Sequence, residues 1–368
     1  MLLHPFKAFL PVTDRIPAPE TFFADCKEVF PALFEQGYFQ PLDEEALFFY
    51  EIVRPGRTFR GLIASVDISE YREGRIKKHE QTIHAKEDLQ KSLFLEQQAM
   101  IKPVLCTYPV SRPVQTWMDA FSGSQPPARE FYFPSEQTTH RIYSISGEKT
   151  IRKIQALFHD NVPEVFIADG HHRCSAAAAL HEERPEKPFS RLLCAFFDAA
   201  DLEIHNFNRV ITHLNGLAGE RFLEEVRTYC SVNPCQEGQR PEGKHEFLLL
   251  LPSGEYILRW KPELLEGLPE NGVLLDVELL NTYLLGPILH IANVRNDPNI
   301  LYIEGPGGVA ALKKTMEKHE GKAAFCLYPV PSDDFFALVR AGAVMPPKST
   351  WFEPRVKTGL IVAPWTTV

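Results

Sequence analysis

The segment Asp169–Arg173 offers the most chemistry in this sequence, because it reads Asp-Gly-His-His-Arg directly after an apolar run at 165–168. Gly170 allows a tight turn, and helix-favouring alanines follow at 176–179, so the pattern predicts a strand, a turn and then a helix. The first amides of a helix have no partner within it, and together with the helix dipole they form an anion site. Arg173 and the two imidazoles add donors suited to phosphate oxygens.

Asp169 has several potential roles at the end of this strand. It could hold a magnesium ion, orient a histidine or accept a substrate proton. In the alternative interpretation Asp169 only caps the helix, and His171 and His172 lie on its solvated first turn. So many donors at one helix entrance are costly unless an anion is present, which favours a binding site.

The stretch 79–84, His-Glu-Gln-Thr-Ile-His, looks at first like a zinc-protease motif. Zinc proteases need histidines four apart on one helix face, whereas five residues here rotate the second histidine roughly 140° away. This spacing excludes the protease. Glu80 could instead take a hydroxyl proton, with His79 beside it. The alternative is an exposed polar helix turn.

Other candidates lie further along the chain. Lys348, Ser349 and Thr350 follow two prolines, so a rigid loop could present an ammonium and two hydroxyls to a phosphate or carboxylate. The alternative is an ordinary proline turn with a helix or strand cap. His140 and Arg209 each adjoin a strand-like segment and could line the same pocket.

Composition limits the class of protein. The chain has 368 residues, which at about 150 per domain suggests two or three domains. Its formal net charge of −9 argues against a nucleic-acid surface spread over the molecule. No C-x-x-C pair, signal peptide or apolar run of about 20 residues is visible. We therefore expect a cytoplasmic, non-membrane protein with reduced thiols.

The secondary-structure pattern predicts an α/β fold with a mixed sheet. Helical pieces interrupted at Pro31 and Pro41 are expected over 20–50, and a later helix is expected to end at Pro103. Further expected elements are strands at 59–66, 104–108, 142–145, 165–168 and 191–197, a helix at 149–158, and a hairpin of 246–251 with 256–260. Expected domains are an N-terminal segment contributing to the pocket (1–100), a core (101–240) and a C-terminal α/β domain (241–368).

The sequence resembles a bacterial and archaeal family that carries a domain-of-unknown-function label. The resemblance rests on motifs spread over nearly the whole chain: Ala168–Arg173, Pro5–Ala8, Gly74–Thr82 and Met345–Thr350. Family members often have a Pro-Pro-Tyr-Asp stretch near the start, where this chain has Pro17-Ala18-Pro19-Glu20. The same resemblance favours Glu80 over the other carboxylates as a base.

The strand, glycine, arginine and helix also resemble the ParB/sulfiredoxin superfamily, whose helix entrance holds nucleotide phosphates. Sulfiredoxin needs a cysteine between the glycine and the arginine, but here the first cysteine, Cys174, follows the arginine. ParB-type partition proteins need a helix-turn-helix and a basic surface, which an acidic chain does not suggest. The free serine kinases of this superfamily are similar in carrying Asp-Gly-His-His-Arg itself, and their catalytic glutamate has no secure counterpart here.

The resemblance implies a ParB/sulfiredoxin-like nucleotide-binding core with N- and C-terminal elaborations. It implies an ADP- or ATP-dependent phosphotransferase that uses Mg²⁺ and acts on a small hydroxyl-bearing metabolite such as free serine. The residues expected to bind the nucleotide phosphates are Gly170, His171, His172, Arg173, Lys348, Ser349 and Thr350. The expected catalytic residues are Glu80, Asp169 and His172, with Asp169 also a Mg²⁺ ligand.

Two other functions stay open at this point. One is a nucleotide-dependent regulator without metabolite turnover. The other is a metal-dependent hydrolase that uses His79, His171, His172 and Asp169. The acceptor, the choice between ADP and ATP and the existence of a homo-oligomer also stay open.

Overall fold

The structure is a computed structural model that describes residues 1–184, 189–266 and 272–365. The chain forms two compact units, one of Met1–Glu203 with Pro354–Val368 and the other of Ile204–Glu353. These bounds do not coincide with the expected divisions after residues 100 and 240. The C-terminal segment returns to the first unit, where Phe9 and Val362 form an antiparallel bridge. Local composition carries no signal for such a return.

The strands in chain order are β1 (Phe9–Pro11), β2 (Phe39–Pro41), β3 (Leu47–Arg54), β4 (Arg57–Asp67), β5 (Ile76–Lys77), β6 (Ala99–Met100), β7 (Val104–Tyr108), β8 (Arg129–Phe133), β9 (Thr138–Ile145), β10 (Val165–Asp169), β11 (Arg191–Asp198), β12 (Glu203–Ile211), β13 (Cys230–Pro234), β14 (Glu246–Leu251), β15 (Gly254–Trp260), β16 (Ile300–Glu304), β17 (Ala323–Leu327), β18 (Thr350–Glu353) and β19 (Ala363–Pro364). The α-helices are α1 (Pro19–Glu35), α2 (Ile68–Arg72), α3 (His84–Gln97), α4 (Arg112–Phe121), α5 (Glu148–Asn161), α6 (His171–Glu183), α7 (Gly219–Arg227), α8 (Asp276–Leu279), α9 (Gly308–Lys318) and α10 (Ser332–Arg340). Short 3-10 turns lie at Thr13–Arg15, Ala199–Asp201, Pro262–Leu264 and Gly305–Gly307, and a π-helical turn at Leu280–Leu285 follows α8.

The first unit is built on a sheet with the strand order β5-β10-β7-β11-β4-β3-β9-β8. The pairs β5/β10 and β7/β11 are parallel, and the other neighbours are antiparallel. The mixed α/β fold class expected from the sequence is therefore confirmed. The expected strands at 59–66, 104–108, 142–145, 165–168 and 191–197 all lie within strands of this sheet.

Strand β10 positions the segment of interest. Its residues Val165–Ala168 are buried, whereas Asp169 is only partly covered. On one side β10 pairs in parallel with Ile76 and Lys77 of β5, which brings the stretch after β5 towards the end of β10. On the other side its register against β7 shifts between Ile167 and Asp169. An irregularity of this kind bends a strand and changes where its side chains point.

The second unit has its own sheet with the order β13-β15-β14-β17-β12-β16, and β18 also pairs with β12. The predicted hairpin is confirmed as β14 and β15, which pair from Glu246↔Arg259 to Leu251↔Gly254. Its core includes Val210 of β12, Leu248 of β14 and Leu312 of α9.

Two expectations about prolines are wrong. Helix α1 runs without interruption through Pro31, and the chain at 39–41 and 47–54 is extended, not helical. Pro31 leaves the carbonyl of Lys27 without its helical donor. The side-chain amide of Gln97 donates to this carbonyl at 2.9 Å, so it replaces the hydrogen bond that the proline removes. Helix α3 ends at Gln98 in the left-handed conformation (φ 49°), before Pro103 is reached.

Within the described ranges, none of the helices is both long enough and apolar enough to cross a membrane. The cysteines are free thiols, and all except the partly exposed Cys235 are buried.

Candidate functional site

Gly170 makes the turn between β10 and α6 with φ 110° and ψ 25°. A Cβ atom there would lie 2.6 Å from Nη2 of Arg173, because the guanidinium folds back over the glycine. Only glycine satisfies both the backbone conformation and this contact. The predicted strand, turn and helix are confirmed, and α6 starts at His171.

Asp169 is surrounded by basic groups. Its carboxylate accepts a hydrogen bond from Nη2 of Arg173 at 2.8 Å. Nη1 of Arg355 lies 2.9 Å from its other oxygen, and Nζ of Lys102 lies 3.8 Å away. Among the described residues, no backbone amide at the start of α6 donates to the carboxylate of Asp169, and the residue at the N-cap position is Gly170, so Asp169 is not the cap that the alternative interpretation assumed.

Asp169 and its three basic neighbours, Lys102, Arg173 and Arg355, form what we call the cation cluster, which carries more positive than negative charge. Burial opposes ionisation of Asp169, but Arg173, Lys102 and Arg355 outweigh it and hold the pKa of Asp169 below its usual range. Burial, together with nearby cations, lowers the pKa of Lys102 to about 8 despite the opposing effect of Asp169. One carboxylate therefore faces three basic side chains, each at most 28% exposed.

His171 lies against the stretch that follows β5. Its ring contacts that of His79 edge to face, with centroids 4.4 Å apart. Its Nε2 is 3.4 Å from the amide of His79, and its Nδ1 is 3.9 Å from Oε2 of Glu80. Burial lowers the pKa of His171 to about 4, so this imidazole is neutral near pH 7. The structure thus brings the two motifs singled out in the sequence into contact.

His172 holds the same stretch further on. Its Nε2 accepts a hydrogen bond from the amide of Ile83 at 3.2 Å. Burial and the neighbouring charge of Lys86 lower its pKa, so it too favours the neutral form. A ring nitrogen that accepts an amide hydrogen cannot also donate to a phosphate. The Nε2 atoms of His171 and His172 face the backbone of the stretch that follows β5, which supports a positioning role, and the phosphate contacts expected of these two residues stay a prediction.

Two carboxylates accompany this stretch. Glu80 is 39% exposed, and it lies beside His171 rather than in the cation cluster. Glu87, on the first turn of α3, accepts a hydrogen bond from the hydroxyl of Ser175 on α6. Hydrogen bonds from Ser175 and Thr82 lower the pKa of Glu87. They favour its charged form and occupy its carboxylate with contacts inside the protein. Glu80 is thus the better placed of the two to meet a ligand.

His140 is a core residue of the first unit. It is 1% exposed on β9, and its Nδ1 lies 2.5 Å from the hydroxyl of Tyr50 on β3. Burial, with the added charge of Lys357, lowers its pKa to about 3. A neutral, buried imidazole packed 4.9 Å from the ring of Phe133 has a structural role, contrary to its expected place in a pocket.

Arg209 and the segment 348–350 belong to the second unit. Arg209 is 1% exposed, and it donates to the carbonyls of Phe207 and Lys348 at 2.6 and 3.1 Å. The ammonium of Lys348 lies 4.5 Å from the centroid of the Phe207 ring. Ser349 donates to the carbonyl of Pro346 at 2.6 Å, and Thr350 is buried where β18 begins. These contacts are those of a proline turn leading into a strand, the alternative interpretation of this motif.

Asp169 does not fit a magnesium ion in this arrangement. Magnesium takes carboxylate oxygens and keeps several waters. Here both oxygens of Asp169 lie within 3 Å of a guanidinium, and the local charge is already positive. More generally, no group of three or more His, Cys, Asp or Glu side chains in the described ranges could hold a metal ion.

Lys102 and Arg355 are site residues that the sequence did not reveal. Each is a basic residue next to a proline, at Lys102-Pro103 and Pro354-Arg355. Arg355 also lies just beyond the Pro-Pro-Lys-Ser-Thr motif. A neighbouring proline is a weak signal for a site residue. The contact of Arg355 with Asp169 depends on the return of the C-terminal segment to the first unit, which local sequence does not show.

Solved structures that match the chain include a free serine kinase variant in complex with ADP, a conserved hypothetical protein from Pyrococcus furiosus and a truncated SbnI from Staphylococcus aureus. The kinase is 13% identical and has a TM-score of 0.39, with 81% of this chain and 92% of the kinase covered. The Pyrococcus protein is 14% identical with a TM-score of 0.38 and coverages of 80% and 93%. SbnI is 12% identical with a TM-score of 0.41 and coverages of 81% and 87%.

No curated protein matches the sequence. A family model matches residues 11–280, a range that includes β5, β10 and the start of α6. The match covers well over half of the chain. The chain therefore belongs to the family described as protein of unknown function DUF1015.

Proposed function

We propose that the entrance of α6 binds the phosphates of a nucleotide, and that the protein transfers a phosphoryl group from ADP or ATP to a small hydroxyl-bearing metabolite such as free serine. The observation that carries this proposal is the set of three basic side chains, Lys102, Arg173 and Arg355, around the single carboxylate of Asp169. The match of Asp169–Arg173 to the motif of free serine kinases supports it.

Charge balance favours an anionic ligand. Mutual repulsion of cations in a partly covered site is unfavourable, and the lowered pKa of Lys102 reflects burial and this repulsion. A phosphate group would supply the missing negative charge. Nε of Arg173 is buried and has no hydrogen-bond partner among the described residues, so this guanidinium retains a donor.

The helix adds a second source of attraction. Helix α6 has thirteen residues, and its first amides, those of His171 and His172, have no acceptor within the helix. The partial positive charge at a helix start attracts phosphate. Gly170, which has no side chain, leaves room for the guanidinium of Arg173 beside this helix start.

Glu80 is the proposed base for the acceptor hydroxyl. It is partly exposed and is held beside α6 because His171 and His172 bind the amides of His79 and Ile83. In this proposal the histidines position the Glu80 stretch, and the cations stabilise charge on the transferred phosphoryl group. Asp169 is not a metal ligand in this proposal.

The other two functions differ in their support. A nucleotide-dependent regulator would use the same cation cluster and differs only in turnover. The metal-dependent hydrolase has no support from the geometry, since the rings of His79 and His171 stack edge to face and His172 accepts an amide hydrogen.

A turnover assay tests the transferase. ADP and ATP are each incubated with the protein, with and without L-serine, and nucleotide consumption and phosphoserine formation are followed. We expect consumption that depends on serine, and a loss of about 10²- to 10⁴-fold in Glu80→Gln with unchanged nucleotide affinity. Glu73→Gln is the matched control, because Glu73 is an exposed carboxylate paired with Arg75. Nucleotide binding without serine-dependent consumption would contradict the transferase for this substrate and favour the regulator.

A further inference from the structure

We propose that the first unit carries a second small-molecule site, which binds an apolar monocarboxylate. A cavity of about 340 Å³ lies in this unit. Its lining includes Phe6, Lys7, Met100, Arg191, Leu193 and Trp365. None of the four residues of the cation cluster is part of this lining, so the inference is independent of the proposed phosphate site.

The cavity is built from segments that are distant in the sequence. Strand β19 pairs with β6 through Ala363↔Met100 and Pro364↔Ala99. The N-terminal segment is fixed beside them by the bridge between Phe9 and Val362. Backbone pairing therefore holds together segments that line the cavity.

Two apolar residues that line the cavity, Trp365 and Met100, are held in place by contacts with neighbouring residues. The ring of Trp365 packs edge to face against Phe94 and Phe189, with centroids 4.8 and 4.6 Å apart. The sulfur of Met100 accepts the amide hydrogen of Leu193 at 3.2 Å. Preformed, mostly apolar cavities of 300 to 1,000 Å³ with a few polar groups are typical of small-molecule sites. The apolar part of a ligand would occupy this space.

The charged lining residues define the other part of the ligand. Lys7 is exposed, and the side chain of Arg191 is 44% exposed, with Nε only loosely paired to Asp67 at 3.7 Å. Glu45 also lines the cavity and is exposed. Glu45 on the lining and Asp67, the partner of Arg191, match these two positive charges in number. Lys7 forms no ion pair with a described residue, so its single ammonium is the group that would bind one carboxylate rather than a dianionic phosphate.

Calorimetry with three probes of the same shape tests this inference. Hydrocinnamate, phenylpropanol and phenylpropylamine share a phenylpropyl body and differ in charge. We expect saturable binding of hydrocinnamate, about tenfold weaker binding of the alcohol and no binding of the amine. The absence of saturable hydrocinnamate binding at millimolar concentration, or equal binding of all three probes, would overturn the proposal.

Variants locate the binding. Leu193→Trp fills the cavity and should abolish hydrocinnamate binding. Lys7→Glu, a change of an exposed side chain that does not disturb packing, should weaken it at least tenfold, and this variant serves if Leu193→Trp fails to fold. Lys149→Glu on the exposed surface of α5 is the matched control and should leave the affinity unchanged. Unchanged affinity in Lys7→Glu would contradict the site. ADP binding measured in parallel separates this result from the fate of the phosphate site.

Discussion

Asp169 at the end of β10 and Arg355 in the C-terminal segment form an ion pair, with Nη1 2.9 Å from the carboxylate oxygen. Both side chains are about a quarter exposed, so the pair is neither buried nor fully solvated. The contact joins the C-terminal segment to the entrance of α6. It also makes Arg355 part of the proposed phosphate site.

Replacing Arg355 with glutamine should therefore weaken ADP binding about tenfold, because one of three cations around the phosphate is lost. The free energy of unfolding should fall by about 1 kcal/mol. Titration with ADP and urea unfolding measure the two effects. Arg152→Gln, which removes an exposed guanidinium paired with Glu148 on α5, is the control and should change neither quantity appreciably. An ADP affinity in Arg355→Gln equal to that of the native protein would remove Arg355 from the site.

Gly170→Ala should destabilise the protein by about 1 to 3 kcal/mol, because its φ of 110° is strained for alanine and the new Cβ meets the guanidinium of Arg173. Displacing Arg173 should also weaken nucleotide binding. Gly123→Ala separates the two causes, since Gly123 has φ 71° but no atom within 4 Å of an added Cβ. Urea unfolding and ADP titration of both variants provide the comparison. Equal effects of the two substitutions would show that the contact with Arg173 does not matter.

The affinity for ADP should fall as the pH rises from 7 to 9. The pKa of Lys102 is lowered to about 8, so its ammonium loses its proton in this window and one positive charge disappears. A bound phosphate favours the charged form, so the affinity is highest at the lower pH. Calorimetry at several pH values should show a decrease of about tenfold. Lys102→Met should bind more weakly at pH 7 and show a flatter profile; a profile as steep as that of the native protein would assign the titration to another group.

Acid should destabilise the fold through its buried histidines. The folded-state pKa of His140 is about 3, below its ordinary value of 6.5, because burial disfavours the imidazolium. The unfolded chain therefore binds a proton that the folded one does not, and stability is lost as the pH falls from 6.5 towards 3. His140 alone contributes a slope of about 1.4 kcal/mol per pH unit in the middle of this window.

Urea unfolding between pH 7 and pH 5 measures this slope. His140→Asn should show a smaller slope than the native protein, while His171, whose pKa is about 4, continues to contribute. His159→Asn, at an exposed position near the end of α5, is the matched control substitution. An identical slope in His140→Asn and the native protein would exclude His140 as a source.

Local pattern was enough to predict the strand, turn and helix around Gly170, because burial of β10 and the alanines of α6 act over a few residues. The effect of Pro31 could not be predicted in this way. The hydrogen bond that it removes from α1 is replaced by the side chain of Gln97, which lies far along the chain.

In the candidate site too, contacts between residues close in the sequence differ from contacts between distant ones. Asp169 and Arg173 are four residues apart in the sequence, so the strand, turn and helix that the sequence predicts keep them close together. Lys102 and Arg355 join them only through the fold. The histidines were correctly placed at the start of α6, but their partners, the amides of His79 and Ile83, depend on the pairing of β5 with β10. The sequence therefore predicted where the histidines lie in the fold, and their roles stay predictions.

The most direct test of the phosphate site is calorimetric titration of ADP into the native protein and into Arg173→Ala. Arg173 contacts Asp169, covers Gly170 and retains a donor at Nε, so its removal should reduce affinity at least a hundredfold while circular dichroism shows a folded protein. Equal ADP affinity of the native protein and folded Arg173→Ala, or no ADP binding by the native protein, would contradict the account.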